Sequence, residues 1–259
     1  MAAFPGDQMR KLALTEPFMT GADVKAAQRV LHDNRFKINF HPGKLDSQYG
    51  PKAADATRLA KFLLGYPEAE VNGEFGPNLY GYLVAKGTPG YRQRPSAFVA
   101  PSAARRRLFK PNHSVRERMV SWCLWAVKNS DQIHYEQKRP IPVHDLPGTL
   151  PLTTDCSGST TLFARWAVAP DPNGREYDGG GSTMTMLTHL KPITAERAQP
   201  GDLVVFGGDP TDQHVVVIVE PGEDPTVTSH GSEGAPFKLK LSAVADGHAG
   251  QPQIYLALL

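Results

Sequence analysis

From about Gly21 to Lys86 apolar positions recur every three or four residues: Val24, Ala27, Val30 and Leu31 share one face, and Leu59, Phe62 and Leu63 another. That period predicts a small helical unit. Two turns punctuate it, LDSQYGP at Leu45 to Pro51 and VNGEFGP at Val71 to Pro77, each placing Gly then Pro just ahead of a helical run, where proline suits the first turn. The two segments read as an internal duplication. From Thr88 to Asn112 the pattern dissolves into Pro, Gly, Ser, Ala and Arg, the composition of a connection. The expected organisation is therefore a helical unit over 1–90, a linker over 91–112 and a second domain over 113–259.

The second domain opens with helical spacing from Val115 to Val127, in which Trp122 and Trp125 are core candidates. A Pro-rich loop, Pro140 to Pro151, precedes a helix beginning near Cys156, and a Gly-rich segment lies around Asp178 to Ser182. The rhythm then shortens. DLVVFGG at Asp202 to Gly208 and HVVVIVE at His214 to Glu220 are β-branched runs that predict buried antiparallel strands joined by a hairpin, and TVTSHG and IYLALL supply two more. Helix followed by successive strands makes the class α+β, because a parallel sheet would need a helix between each pair.

At 259 residues, 40% hydrophobic and 21% charged, the composition is that of a globular protein. A net charge of +2 fits an anionic polymer without demanding one. The basic cluster Arg105, Arg106, Arg107 and Lys110 lacks interleaved aromatics, so no nucleic-acid partner is expected. The first residues carry no apolar signal core and no run of about 18 apolar residues occurs, which predicts synthesis as a soluble chain with no membrane insertion. The histidines His134, His144, His189 and His248 have no partners at metal-ligand spacing, so neither a metal nor another cofactor is expected.

Two cysteines, Cys123 and Cys156, are read as free thiols. In TTDCSGSTTLFARWA the second stands at the mouth of a helix, where unpaired N–H groups and the macrodipole favour an anion and lower a thiol's pKa. His214 opens a strand about 60 residues later, and His230 ends TVTSHG on an expected neighbouring strand. Together they allow a Cys-His-His arrangement in which His230 orients the His214 ring. On spacing alone, a nucleophile and a small buried hydrophobe fit Cys156 equally.

DCSGS before a helix, then PGDLVVFGG, then QHVVVIVE, then a histidine closing the next strand resembles the NlpC-type peptidoglycan peptidases, which are papain-like, over about Val115 to Leu259. The resemblance implies a helix-borne cysteine packed on an antiparallel sheet, with Cys156 as nucleophile, His214 as general base and acid, and His230 as orienting residue. It implies that Tyr135, Asp155 and Ser157 or Ser159 hold the substrate's free amine end. It also implies cleavage of the γ-D-glutamyl–diamino acid bond of the stem peptide. The chain departs from the family in carrying Val215, Val216 and Val217 where a glycine usually follows the base. The duplicated turns over Met19 to Gly87 resemble the peptidoglycan-binding domains attached to wall hydrolases. A monomeric bacteriophage endolysin, made in the host cytoplasm and acting on bacterial peptidoglycan after release, is the expectation that follows. A muramoyl-alanine amidase and a non-catalytic wall-binding phage structural protein are its alternatives.

Overall fold

The computed structural model describes residues 8–84, 113–207, 213–232 and 234–259, in two compact units, Met1–Pro111 and Asn112–Leu259. The expected linker over 91–112, with its basic cluster, lies outside the described residues, as does most of the loop between the DLVVFGG and HVVVIVE strands.

The first unit contains helices α1 (Ala22–His32), α2 (Pro51–Leu64) and α3 (Pro77–Leu83). Gly50 and Gly76 are the N-caps of α2 and α3, and Pro51 and Pro77 open them. The duplication extends to hydrogen bonding. In the first turn Asp46 Oδ1 accepts from Gln48 N at 3.0 Å and from Gln28 Nε2 of α1 at 3.0 Å. In the second, Asn72 Oδ1 accepts from Glu74 N at 3.1 Å and from Lys61 Nζ of α2 at 2.7 Å. Each turn is thus an Asx turn clamped by a side chain of the preceding helix. Tyr49 and Phe75, equivalent in the two turns, are both fully buried, and Tyr49 Oη donates to Gly73 O at 2.8 Å.

The second unit is α+β. Helix α4 (Val115–Lys128) starts at a capping box in which Ser114 Oγ accepts from Glu117 N and the Glu117 carboxylate accepts from Ser114 N. Two short parallel strands follow, β1 (Ile133–Tyr135) and β2 (Leu152–Thr154). β2 leads directly into α5 (Cys156–Trp166). After α6 (Thr183–His189) come β3 (Lys191–Ile193), β4 (Leu203–Phe206), β5 (His214–Glu220), β6 (Thr226–Ser229), β7 (Phe237–Lys240), α7 (Leu241–Gly247) and β8 (Gln253–Ala257). These strands form one antiparallel sheet in the order β3-β8-β4-β5-β6-β7.

Strand alternation assigns the two faces. Val204, Phe206, Val216, Ile218 and Val227 pack under Leu241 and Val244 of α7. On the other face α4 and α5 lie against β5, and the Cys123 thiol meets the Thr228 hydroxyl. Trp122 and Trp125 of α4 and Trp166 of α5 form a triangle of edge-on rings with centroids 5.0–5.7 Å apart, fixing α5 to its neighbour. The buried Asp202 carboxylate of the PGDLVVF segment accepts from Arg116 Nη1 at 2.6 Å, Gln199 N at 2.9 Å and Leu258 N at 3.1 Å, tying α4 and the chain end to the sheet.

Candidate functional site

Cys156 is the first residue of α5, and the preceding Asp155 is its N-cap, accepting from Gly158 N at 2.6 Å. The motif's glycine is fixed by space rather than by φ: a Cβ on Gly158 would collide with Thr154 Oγ1 and lie 2.9 Å from Asp155 Oδ1. Ser159 Oγ and Thr160 Oγ1 donate to Cys156 O at 3.0 and 2.9 Å, so both hydroxyls turn into the helix. The Cys156 sulfur is 8% exposed at the residue level, with the N–H groups of Val215 and Ser157 pointing at it and Thr183 Oγ1 4.0 Å away. Val215 directly follows His214, so α5 delivers the thiol to the first residues of β5.

The helix position was expected to lower the thiol's pKa, but the structure gives the opposite balance. Burial pushes the Cys156 thiol above its ordinary value and the Asp155 carboxylate adds to this, against partial opposition from the Val215 and Ser157 N–H groups and the Thr183 hydroxyl.

His214 is 7% exposed. Its Nε2 lies 2.8 Å from Ser229 Oγ, and its ring stacks on His248 at 5.3 Å between centroids and 10° between planes; His248 stacks in turn on Phe206. Phe206 and His214 are register partners in the β4–β5 pair. His248, read as a leftover histidine, therefore packs against the candidate base.

The hydrogen bond at His214 Nε2 is shared with Ser229, one residue before the expected orienting histidine. His230 follows the last residue of β6, and its ring meets Tyr135 edge-on, with centroids 5.7 Å apart. Tyr135 pairs with Thr154 across the small parallel sheet, one residue before Asp155, so His230, Tyr135 and the Cys156 segment are linked through β1 and β2.

Asp155 and Ser157 meet a partner that no motif announces. Arg139, from the Pro-rich stretch, forms an ion pair with Asp155 Oδ2 at 3.1 Å and donates to Ser157 Oγ at 2.8 Å and Gly181 O at 2.8 Å. Among the described residues no group of three or more His, Cys, Asp or Glu side chains could hold a metal, and no helix is long and apolar enough to cross a membrane.

No family model and no curated protein matches the chain. Among solved structures it is similar to NlpC2 from Trichomonas vaginalis, at 16% identity and a TM-score of 0.39, over 56% of this chain and 46% of that one. The chain thus corresponds to under half the length of that structure.

Proposed function

We propose that the chain is a papain-like cysteine hydrolase of bacterial peptidoglycan, cleaving the γ-D-glutamyl–diamino acid amide of the stem peptide. The observation that carries the chemistry is the delivery of the Cys156 thiol, at the first position of α5, to the backbone beside His214. The substrate rests on the ordered motifs and on the duplicated Asx-turn unit, whose resemblance to wall-binding domains fits a wall-directed enzyme.

The mechanism proposed is general-base thiol attack. The proton of the Cys156 thiol passes to His214 Nδ1 as sulfur bonds to the γ-carbonyl carbon. The first two N–H groups of α5, on Cys156 and Ser157, face the developing oxyanion. The imidazolium then protonates the leaving amine as the C–N bond breaks. Water, deprotonated by His214, hydrolyses the thioester and restores the thiol. Ser229 is assigned the orienting role: with the proton on Nε2 its hydroxyl accepts from the ring across the 2.8 Å contact, and Nδ1 of the neutral ring is then the proton acceptor. His230 and Tyr135 form a wall of the same site. Release from an infected cell as a bacteriophage endolysin is the proposed setting.

Mass spectrometry of purified walls after digestion tests the bond. The expected products carry a new amine on the diamino acid and a free γ-carboxyl on glutamate. Separation of muramic acid from alanine would replace this assignment with a muramoyl-alanine amidase.

A further inference from the structure

A carboxylate next to a peptide-cleaving nucleophile is a natural anchor for a substrate ammonium group. Asp155 is not open for that task. Its Oδ1 accepts from Gly158 N at 2.6 Å, Ser157 Oγ at 3.1 Å and Arg139 Nη2 at 3.4 Å, and its Oδ2 pairs with Arg139 Nη1 at 3.1 Å. Arg139 is equally committed: Nε donates to Gly181 O at 2.8 Å, Nη1 to Lys138 O at 2.7 Å and Nη2 to Ser157 Oγ at 2.8 Å. Its five N–H donors are thus matched by five acceptor contacts. The guanidinium closes over Asp155 and Ser157 and ties them to the segment before α6, whose Thr183 approaches the thiol.

We propose that Arg139 is a specificity-determining residue that occupies the place a substrate ammonium would take on Asp155, so that the enzyme accepts stem peptides whose amino end is blocked, as it is when joined to the glycan. This rests on the hydrolase reading above. A free amine entering here would have to displace a charge-assisted, multiply bonded guanidinium or sit beside a like charge. A blocked amine meets neither obstacle. The role assigned to Asp155 and Ser157 accordingly shifts from holding an amine to holding Arg139.

The test uses two peptides containing the γ-D-glutamyl–diamino acid bond, identical except that one has a free N-terminal amine and the other is N-acetylated. The wild-type protein is expected to cleave the acetylated peptide with a kcat/KM at least equal to that of the free one. Arg139→Gln is expected to shift the ratio toward the free amine by about ten-fold, the scale of one charge-assisted contact, while Arg139→Lys keeps the wild-type ratio. A readout independent of turnover is modification of Cys156 by a cationic methanethiosulfonate relative to a neutral one, located by peptide mapping. Arg139→Gln should raise that rate ratio several-fold. A wild-type preference for the free amine overturns the proposal, as do unchanged ratios in Arg139→Gln. A shifted reagent ratio with neither peptide cleaved supports the masking of Asp155 and places the failure in the hydrolase reading.

Discussion

Replacing Ser229 with alanine isolates the partner of the proposed base. The His214 Nε2–Ser229 Oγ contact is 2.8 Å long between residues 7% and 3% exposed, so bulk water does not replace the lost hydroxyl. A buried polar group deprived of its partner costs about 1–3 kcal/mol. Most of that cost falls on the imidazolium formed during the reaction, whose Nε2–H must be solvated by something. At about 1.4 kcal/mol per factor of ten, kcat should fall roughly 5- to 150-fold, with KM little changed. The ring remains stacked on His248, which argues against complete loss. Ser229→Thr, which keeps a hydroxyl, should recover most of the rate. His230→Ala leaves the 2.8 Å contact in place and should act mainly on KM through the wall it forms with Tyr135. The assay is steady-state hydrolysis of a defined stem peptide. A Ser229→Ala enzyme within two-fold of wild type, alongside a His230→Ala enzyme that loses kcat, would refute the assignment and restore His230 as the orienting residue.

Other outcomes follow from the same geometry. Gly158→Ala, with no room for its Cβ beside Thr154 and Asp155, should lower the stability of the second unit by about 1–3 kcal/mol, read as a lowered midpoint in thermal or urea unfolding. Gln28→Ala removes a side chain that is 1% exposed and donates to Asp46 Oδ1 and Gln48 O while accepting from Ser47 N, so the first unit should lose about 1–3 kcal/mol in denaturant titration. Because Asp155 raises the Cys156 pKa, Asp155→Asn should move the thiol-ionisation limb of the inactivation rate by a neutral alkylating agent to lower pH; an upward shift would contradict the cause assigned. Burial pushes the Cys123 thiol up to about 12 from an ordinary value near 9. The unfolded chain loses this proton first as pH rises, so the stabilisation is complete below about 9 and is lost as pH climbs toward 12. Cys123→Ala should flatten this part of the alkaline stability profile.

The elements with a strong period were legible in the sequence. The helices of the duplicated unit, α4, α5, and strands β4, β5, β6 and β8 all correspond to runs whose apolar spacing selects one secondary structure. Weaker signals did not announce themselves: β1, β2 and β3 span three residues each, too short for a period, and β7 alternates half-buried and exposed positions in FKLK. The insertion of β8 between β3 and β4 is a long-range pairing that local pattern cannot encode. At the site, the start of α5 at Cys156 was legible because Leu162, Phe163 and Trp166 recur at helical spacing behind it. The 2.8 Å contact of His214 with Ser229 was not, since histidine and serine stand side by side in TVTSHG and pattern alone does not say which approaches the ring. Arg139 was invisible for a related reason: its acceptors on Asp155, Ser157 and Gly181 come together only in the folded chain. The thiol's raised pKa likewise depends on how deeply α5 is packed, which composition does not reveal.

The most direct test of the central claim is the loss of turbidity of purified peptidoglycan in the presence of the full chain, compared among wild type, Cys156→Ala and Cys123→Ala. Wild type and Cys123→Ala are expected to clear the suspension and release peptides with new diamino-acid amines, while Cys156→Ala leaves the walls intact. Clearing by Cys156→Ala at the wild-type rate would contradict the thiol mechanism.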